Sequence, residues 1–577
     1  MSVGSLLQYA VFLIVVTLLV RPAGIYLQRV FERGPTWLDP VLVPGERTIY
    51  RLARINPDVQ MGWQAYAVSF VVFTLLGTLL LALILLFQSI LPFYDGNAIT
   101  TPMTPDLAAN VGVSFATTTT WQPYAGESTM SYTAQMVGLA AQNFLAGATG
   151  LAIGIAFIRG LAGRRVTSLG NFWVDVVRAI LWVLLPISLV GGLLLVWQGV
   201  PMNWQPYVQA TTLEGASQTI AQGPVAALEL IKNLGTNGGG FFNANGAHPY
   251  ENPTPLSNLL EMLAIAVLPA GLTYTFGRMV GRPREGWMLY AVMVALFVVA
   301  TLTTAWPEQV GNPVLAATTA LQETPSDTQP GGNMEGKETR FGIGASVLTQ
   351  TVTANTATGS VNSAPDSYTP LGGLVPLVGL LLGEIVFGGL GTGLYSLILV
   401  VLLALFITGL MVGRTPEYVG KKIGPPEMKL VMIYTLLGPA AVLVLAGLAA
   451  VTDAGLAGLT TNSGPHGFTE IVFAYASALA NNGQAFGGLS ANSPFWNVTT
   501  IVAMLVGRLG LGVAALALAG RFGLQPVRNV SLGTLQTDSV LFGGVVLGTA
   551  LIVVALNYFP ALALGPVVEH LKMIAPT

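Results

Sequence analysis

The chain has 577 residues, 53% of them hydrophobic and only 9% charged, against about 25% charged in an ordinary soluble domain, and this composition predicts an all-α polytopic membrane protein in contact with lipid. A formal net charge of −2 gives no electrostatic footprint for nucleic acid, and the absence of cysteine excludes disulfides and thiolate metal sites. His248, His466 and His570 stand too far apart in sequence to suggest haem or zinc ligation.

Taken in order, the first apolar run, residues 6–20, has no basic residue before it and Arg21 and Arg29 after it. That is the reverse of a signal peptide, so an uncleaved helix with its N-terminus outside is expected. Ten spans follow from hydropathy: 6–20, 65–91, 134–158, 174–197, 256–276, 287–306, 374–412, 430–451, 498–519 and 540–559. The seventh exceeds the ~20 residues of a straight crossing. Its middle, Gly388-Gly389-Leu390-Gly391-Thr392-Gly393, should break it. Eighteen of the 24 Lys and Arg fall in the loops after spans one, three, five, seven and nine. The positive-inside rule makes those loops cytoplasmic and puts both termini outside.

The loops after spans two, four, six and eight each contain an apolar run too short to cross: 107–116, 225–234, 343–352 and 471–479. Each run leads directly into a small or polar cluster. The clusters are Thr117 to Thr120, Gly235 to Gly240, Asn355 to Ser360, and Asn481-Asn482-Gly483. After three of them the next span is approached through proline, at Pro253 and Pro255, Pro370, and Pro494. One such loop would be an ordinary glycine-rich turn. Four in the same topological position predict helix–pore-helix–helix repeats around a central pore, although the copies share little sequence. The chain then divides into 1–62 (first span and loop), 63–198 (first repeat and the start of the second), 170–284, 285–425 and 426–522 (repeats two to four), and 523–577 (last span).

The most telling stretch is Gly235-Thr236-Asn237-Gly238-Gly239-Gly240. Consecutive glycines free the backbone to aim carbonyls where other residues resist, and irregular backbone survives at membrane depth only inside protein or beside a wet cavity. No Asp or Glu occurs in the four clusters. Neutral carbonyl oxygens suit a monovalent cation, whereas a carboxylate ring would suit a divalent one.

Asn233 to Asn243 with Asn252-Pro253-Thr254-Pro255, Trp121-Gln122, Gly383 to Gly389, Arg414-Thr415-Pro416-Glu417-Tyr418 and Asn481-Asn482-Gly483 resemble the potassium-binding KdpA family of the bacterial Kdp potassium-transporting ATPase. The resemblance spans essentially the whole chain and extends to the superfamily of potassium transporters with four pore repeats in one polypeptide. It implies a potassium (K+) filter of Thr118, Thr119, Thr120, Thr236, Asn237, Gly238, Gly239, Ala357, Thr358, Gly359, Asn481, Asn482 and Gly483. It further implies an affinity role for Gln122 and a gate at the broken seventh span, containing Gly388, Gly389 and Gly391. The partners implied are the P-type ATPase KdpB, its companion KdpC and the small KdpF of the Kdp complex, in the bacterial inner membrane, with ATP used by the partner. The first cluster carries threonines where the family commonly has asparagine.

Two ionisable residues fall inside spans, Glu384 beside the glycine break and Arg508 in the ninth, and such residues are functional candidates by default. Gly331 to Glu338 nearly matches a phosphate-binding loop but lacks its Ser or Thr, and Gly510-Leu511-Gly512 lies mid-span without a preceding strand. No Asp-Lys-Thr-Gly-Thr phosphorylation motif occurs, which leaves ATP chemistry to another chain. A free-standing potassium channel or ion-coupled transporter is the alternative reading. A membrane-embedded enzyme would need clustered catalytic groups on facing spans, and a purely structural component would tolerate changes in the filter loops.

Overall fold

The computed structural model describes every residue except 1, 97, 319–321, 327–328, 330, 530–533 and 575–577. The expected C-terminal unit, 523–577, therefore lies partly outside the described residues. Among the described residues, ten helices are long and apolar enough to cross a membrane. They are Val3–Phe31, Trp63–Leu86, Ala134–Ala162, Phe172–Gln198, Pro255–Met279, Pro283–Ala317, Thr392–Val412, Pro425–Val451, Pro494–Leu524 and Val540–Ile574. All ten expected spans are present, and the chain is a multi-pass membrane protein. The third and fifth are inner helices, with 83% and 72% of their apolar windows buried, whereas the first, eighth and tenth bury only 22%.

Between the spans lie four short helices, Pro105–Ala116, Val225–Leu234, Gly342–Asn355 and Gly464–Leu479. Each is wedged between spans: the first against the second and ninth, the second against the fourth and fifth, the third against the sixth, and the fourth against the eighth and ninth. They are buried on nearly all sides, and even polar residues they carry, such as Glu229, Lys232 and Gln350, lie inside the protein. A shared start signal positions several of these elements. Thr104-Pro105, Thr254-Pro255, Thr369-Pro370 and Ser493-Pro494 each put a capping hydroxyl before a proline in the first turn. The hydroxyl satisfies a free helix N–H, and proline there costs no hydrogen bond.

The seventh expected span is interrupted where its glycines stand. A helix covers Pro370–Leu381, residues 382–391 are non-helical, and a second helix runs Thr392–Val412. Close approach makes the glycines necessary: a Cβ on Gly388 would lie 1.4 Å from Glu384 O, and one on Gly391 2.0 Å from Gly150 O. Hydropathy does not signal the π-helical turn Val506–Gly510 that carries Arg508, the amphipathic helix Asp39–Leu52, or the hairpin pairing Val208–Thr211 with Ser217–Ile220. The Arg414 to Tyr418 motif leads into a small hairpin, Glu417–Tyr418 with Lys421–Lys422. There the Lys421 ammonium donates to Gly163 O and, at 2.8 Å each, to Phe522 O and Gln525 O. It thereby caps the carbonyl ends of the third and ninth spans.

Candidate functional site: four loops closed into a ring

Each short helix ends in its polar cluster, and all four ends are built alike. Thr119 N donates to Ser114 O, Asn237 N to Lys232 O, Thr358 N to Thr353 O and Asn482 N to Ser477 O, at 2.8–3.2 Å. These are equivalent bonds from five residues on, the pattern by which a left-handed residue closes a helix C-terminus. That residue is Thr118 (φ 65°), Thr236 (50°), Ala357 (53°) or Asn481 (51°), and two positions later φ is again positive at Thr120, Gly238, Gly359 and Gly483. The fourfold repeat, faint in the residues, is explicit in the backbone.

The consequence lies in the carbonyls. The loops spend N–H groups on their own helix ends. Among the described residues, no donor reaches the carbonyls of 118–120, 236–238, 357–359 or 481–483. The residues carrying side chains there are at most 6% exposed. Buried carbonyls are almost always paired, so three unpaired ones from each of four loops are an oxygen-rich arrangement with the chemistry to take a cation. Helix C-terminal dipoles add negative potential at the same place.

The loops form a closed ring. A Cβ on Gly238 would sit 1.6 Å from Thr358 O, one on Gly359 2.0 Å from Asn482 O, and one on Gly483 1.8 Å from Thr119 O. The second loop thus abuts the third, the third the fourth, and the fourth the first. Between the first and second the contact differs, because Thr120 stands where the other loops have glycine. Here Gly239 (φ 72°) makes the room: its Cβ would fall 2.3 Å from Thr120 Cγ2 and 2.6 Å from Gln122 Oε1. Gln122 then clasps Gly240 from both sides, accepting from its N–H at 2.8 Å and donating to its carbonyl at 3.0 Å. Side chains lace the remaining joints, with Asn481 Nδ2 donating to Thr119 Oγ1 at 2.9 Å and Ser360 Oγ to Asn233 Oδ1 at 2.5 Å.

The broken seventh span contacts this ring, Leu390 N donating to Thr236 Oγ1 at 2.8 Å. Glu384, itself in a left-handed conformation, lines a cavity of about 110 Å³ together with Thr392, Tyr395, Tyr434, Asn481 and Gly507. A Cβ on Gly389 would fall 2.8 Å from Glu384 Oε2. Arg508 is 3% exposed and donates to Ala146 O at 2.9 Å; among the described residues it forms no ion pair with Glu384. The residues expected in the filter lie in the ring, Gln122 joins its first two loops, Glu384 lines the cavity and Gly388, Gly389 and Gly391 stand in the break. Arg508, by contrast, is not among the residues lining the cavity and donates to the third span at Ala146. Sequence reasoning missed Asn233, Ser360 and the charged residues of the second short helix, although Glu229 and Lys232 interrupt an apolar run and could have been noticed.

Four pore-loop units in one polypeptide, closed around a ring of free carbonyls, define the class as a multi-pass transport protein with pore-helix repeats. The chain belongs to the family of potassium-transporting ATPase A subunits, whose model matches residues 10–571. It is 50% identical over 571 residues to the potassium-transporting ATPase potassium-binding subunit of Methylobacterium nodulans, covering 99% of this chain and 98% of that protein. It is 46% identical over 592 residues to the protein of the same name from Koribacter versatilis, covering 100% and 99%. Its fold is also that of the potassium transporter TrkH from Vibrio parahaemolyticus, with a TM-score of 0.52 at 15% identity, covering 85% of this chain and 96% of that one.

Proposed function

We propose that this chain is the channel-like component of an ATP-driven potassium uptake pump. It selects external potassium in the four-loop ring and passes it past the broken seventh span to the partner that hydrolyses ATP. The observation that carries this reading is the ring of unpaired carbonyls, contributed equally by four loops that hold no carboxylate. Neutral oxygens of moderate field strength can replace the hydration shell of a monovalent cation and still release it. The names of the relatives support potassium as the ion and ATP hydrolysis as the drive.

In this reading the filter comprises residues 118–120, 236–239, 357–359 and 481–483, and Gln122 holds the first loop to the second. Glu384 and the glycines at 388, 389 and 391 form the gate beside the cavity, with Arg508 as a fixed cation near the path. The chain is non-catalytic and works with the phosphorylated ATPase KdpB and with KdpC and KdpF. It resides in the bacterial inner membrane with both termini outside, an orientation supported by the basic loops, and its repeats divide as 63–198, 170–284, 285–425 and 426–522.

The test is ATPase activity of the purified complex, co-expressed with its neighbouring pump genes, against potassium and sodium titrations. Saturable stimulation by potassium alone is expected, and Gly238→Asp should weaken it because both a Cβ and a charge would intrude on Thr358 O. Absence of potassium dependence, with potassium flux through this chain alone in liposomes, would overturn the pump reading.

A further inference from the structure

Six of the 24 basic residues fall outside the loops of the basic side, and one of them, Lys232, is the residue whose carbonyl anchors the second filter loop. The equivalent anchor is Ser114, Thr353 or Ser477 in the other three loops. Lys232 is fully buried. Its ammonium donates to Glu251 Oε2 at 2.6 Å and to Asn245 Oδ1 at 2.9 Å, and it stands 2.7 Å from Glu229 Oε2 as an ion pair. Both carboxylates pass the hold onward. Glu251 Oε1 accepts from Phe242 N at 2.7 Å, just beyond the third glycine. Glu229 Oε1 accepts from Asn233, whose side-chain oxygen in turn takes the Ser360 hydroxyl at the rim of the third loop.

We infer that Lys232 is a positioning residue for ion selection: through Glu251 and Glu229 it fixes both ends of the second loop and its joint to the third. The second loop needs such a hold more than the others. Gly238, Gly239 and Gly240 carry no side chains to brace it and have the widest conformational freedom, so its carbonyls must be placed from either end. A buried ammonium hydrogen-bonded to Glu251 and Asn245 and ion-paired with Glu229 restricts the segment to a narrow range of geometry. Losing one partner strands the other's charge and releases the segment it held. The inference rests on the potassium-selecting reading above.

The experiment compares Lys232→Met, Glu251→Ala and Glu251→Gln in the purified complete complex, with Gly238→Asp as reference. Assembly of the complex is followed by size-exclusion chromatography, and ATPase stimulation by potassium, rubidium and sodium is titrated. Lys232→Met and Glu251→Ala should assemble, raise half-activation by potassium about tenfold or more, and narrow the potassium-to-rubidium and potassium-to-sodium ratios. Glu251→Gln keeps an acceptor for Phe242 N and should change the ratios less. Wild-type ratios in assembled Lys232→Met or Glu251→Ala would overturn the inference. So would loss of assembly in both with a wild-type ion profile in Glu251→Gln, since the cluster would then serve folding alone. Should Gly238→Asp also leave the ratios unchanged, the filter reading itself fails; a change in Gly238→Asp alone confines the failure to Lys232.

Discussion

The first and second loops solve one geometric problem with opposite materials. The first, Thr117 to Gln122, contains no glycine, whereas the second has three in a row, yet both reach the same backbone path and the same bond to the helix end. In the first loop the side chains brace one another, Thr117 and Thr119 sharing hydroxyls at 2.7 Å and Ser114 Oγ reaching Trp121 O at 2.9 Å. In the second, bracing comes from outside, through Gln122 on one flank and the carboxylates on the other. Such a ring can thus be fourfold in its carbonyls without being fourfold in its residues. What has to repeat is the alternation of φ and the fit against the next loop.

Alanine at the matching position of each loop should break that comparison most sharply. Gly238→Ala, Gly359→Ala and Gly483→Ala each place a Cβ within 2.0 Å of the neighbouring carbonyl at a positive φ. Strain of about 3 kcal/mol or more per site should weaken potassium half-activation more than about a hundredfold. Thr120→Ala adds no atom and should leave half-activation within a few-fold. Potassium titration of ATPase activity across the four variants checks the contrast, and equal losses would mean that the first loop is no exception.

Next in size is the clasp between the two loops. Gln122→Ala removes two hydrogen bonds to Gly240, together worth about 2 kcal/mol, so half-activation should rise up to about thirtyfold. Gln122→Glu keeps the acceptor for Gly240 N and loses the donor, and it should fall between Gln122→Ala and wild type.

Smaller again is the coupling across the joint. Gly239→Ala should push against Thr120 Cγ2, and Thr120→Gly should relieve part of that pressure. The double variant should therefore bind potassium about fivefold better than the two single effects predict, a coupling near 1 kcal/mol. Additive effects would separate the two positions and leave Gly239 without its steric reason.

How far this was legible in the sequence follows from which forces are local. Hydropathy and the alternation of basic loops set out ten spans, and the Gly388 to Gly393 run marked the break, because each signal sits within its own segment. The four short helices could be placed by their position alone. The joints of the ring were illegible, since Gln122 meets Gly240 across 118 residues and Asn481 meets Thr119 across 362. Lys232 lay in plain view inside an apolar run, but its partner Glu251 is 19 residues on, past the glycine loop, and no helical spacing points to it.

The fourth loop extends the comparison to a brace far from the ring, and there the expected effect is smallest. His466, in the first turn of the fourth short helix, lies between two carboxylates, with Nε2 2.8 Å from Asp366 Oδ1 and Nδ1 2.7 Å from Glu569 Oε1. It thereby ties that helix to the end of the tenth span. Burial alone would pull its pKa down, but the hydrogen bonds to both carboxylates outweigh that and raise it to about 10. Because the folded pKa lies above the unfolded value near ~6.5, the tie contributes fully below about pH 6.5 and fades as pH rises through about 10. The melting temperature of the purified complex should therefore exceed that of His466→Gln by ~2 °C or more at pH 6, with the gap closing toward pH 10. Potassium half-activation at neutral pH should be unchanged, since the brace acts at the far end of the helix from Asn481. A gap that does not change with pH would show that His466 acts by packing, and a shift in potassium half-activation would show that the helix transmits strain to its loop.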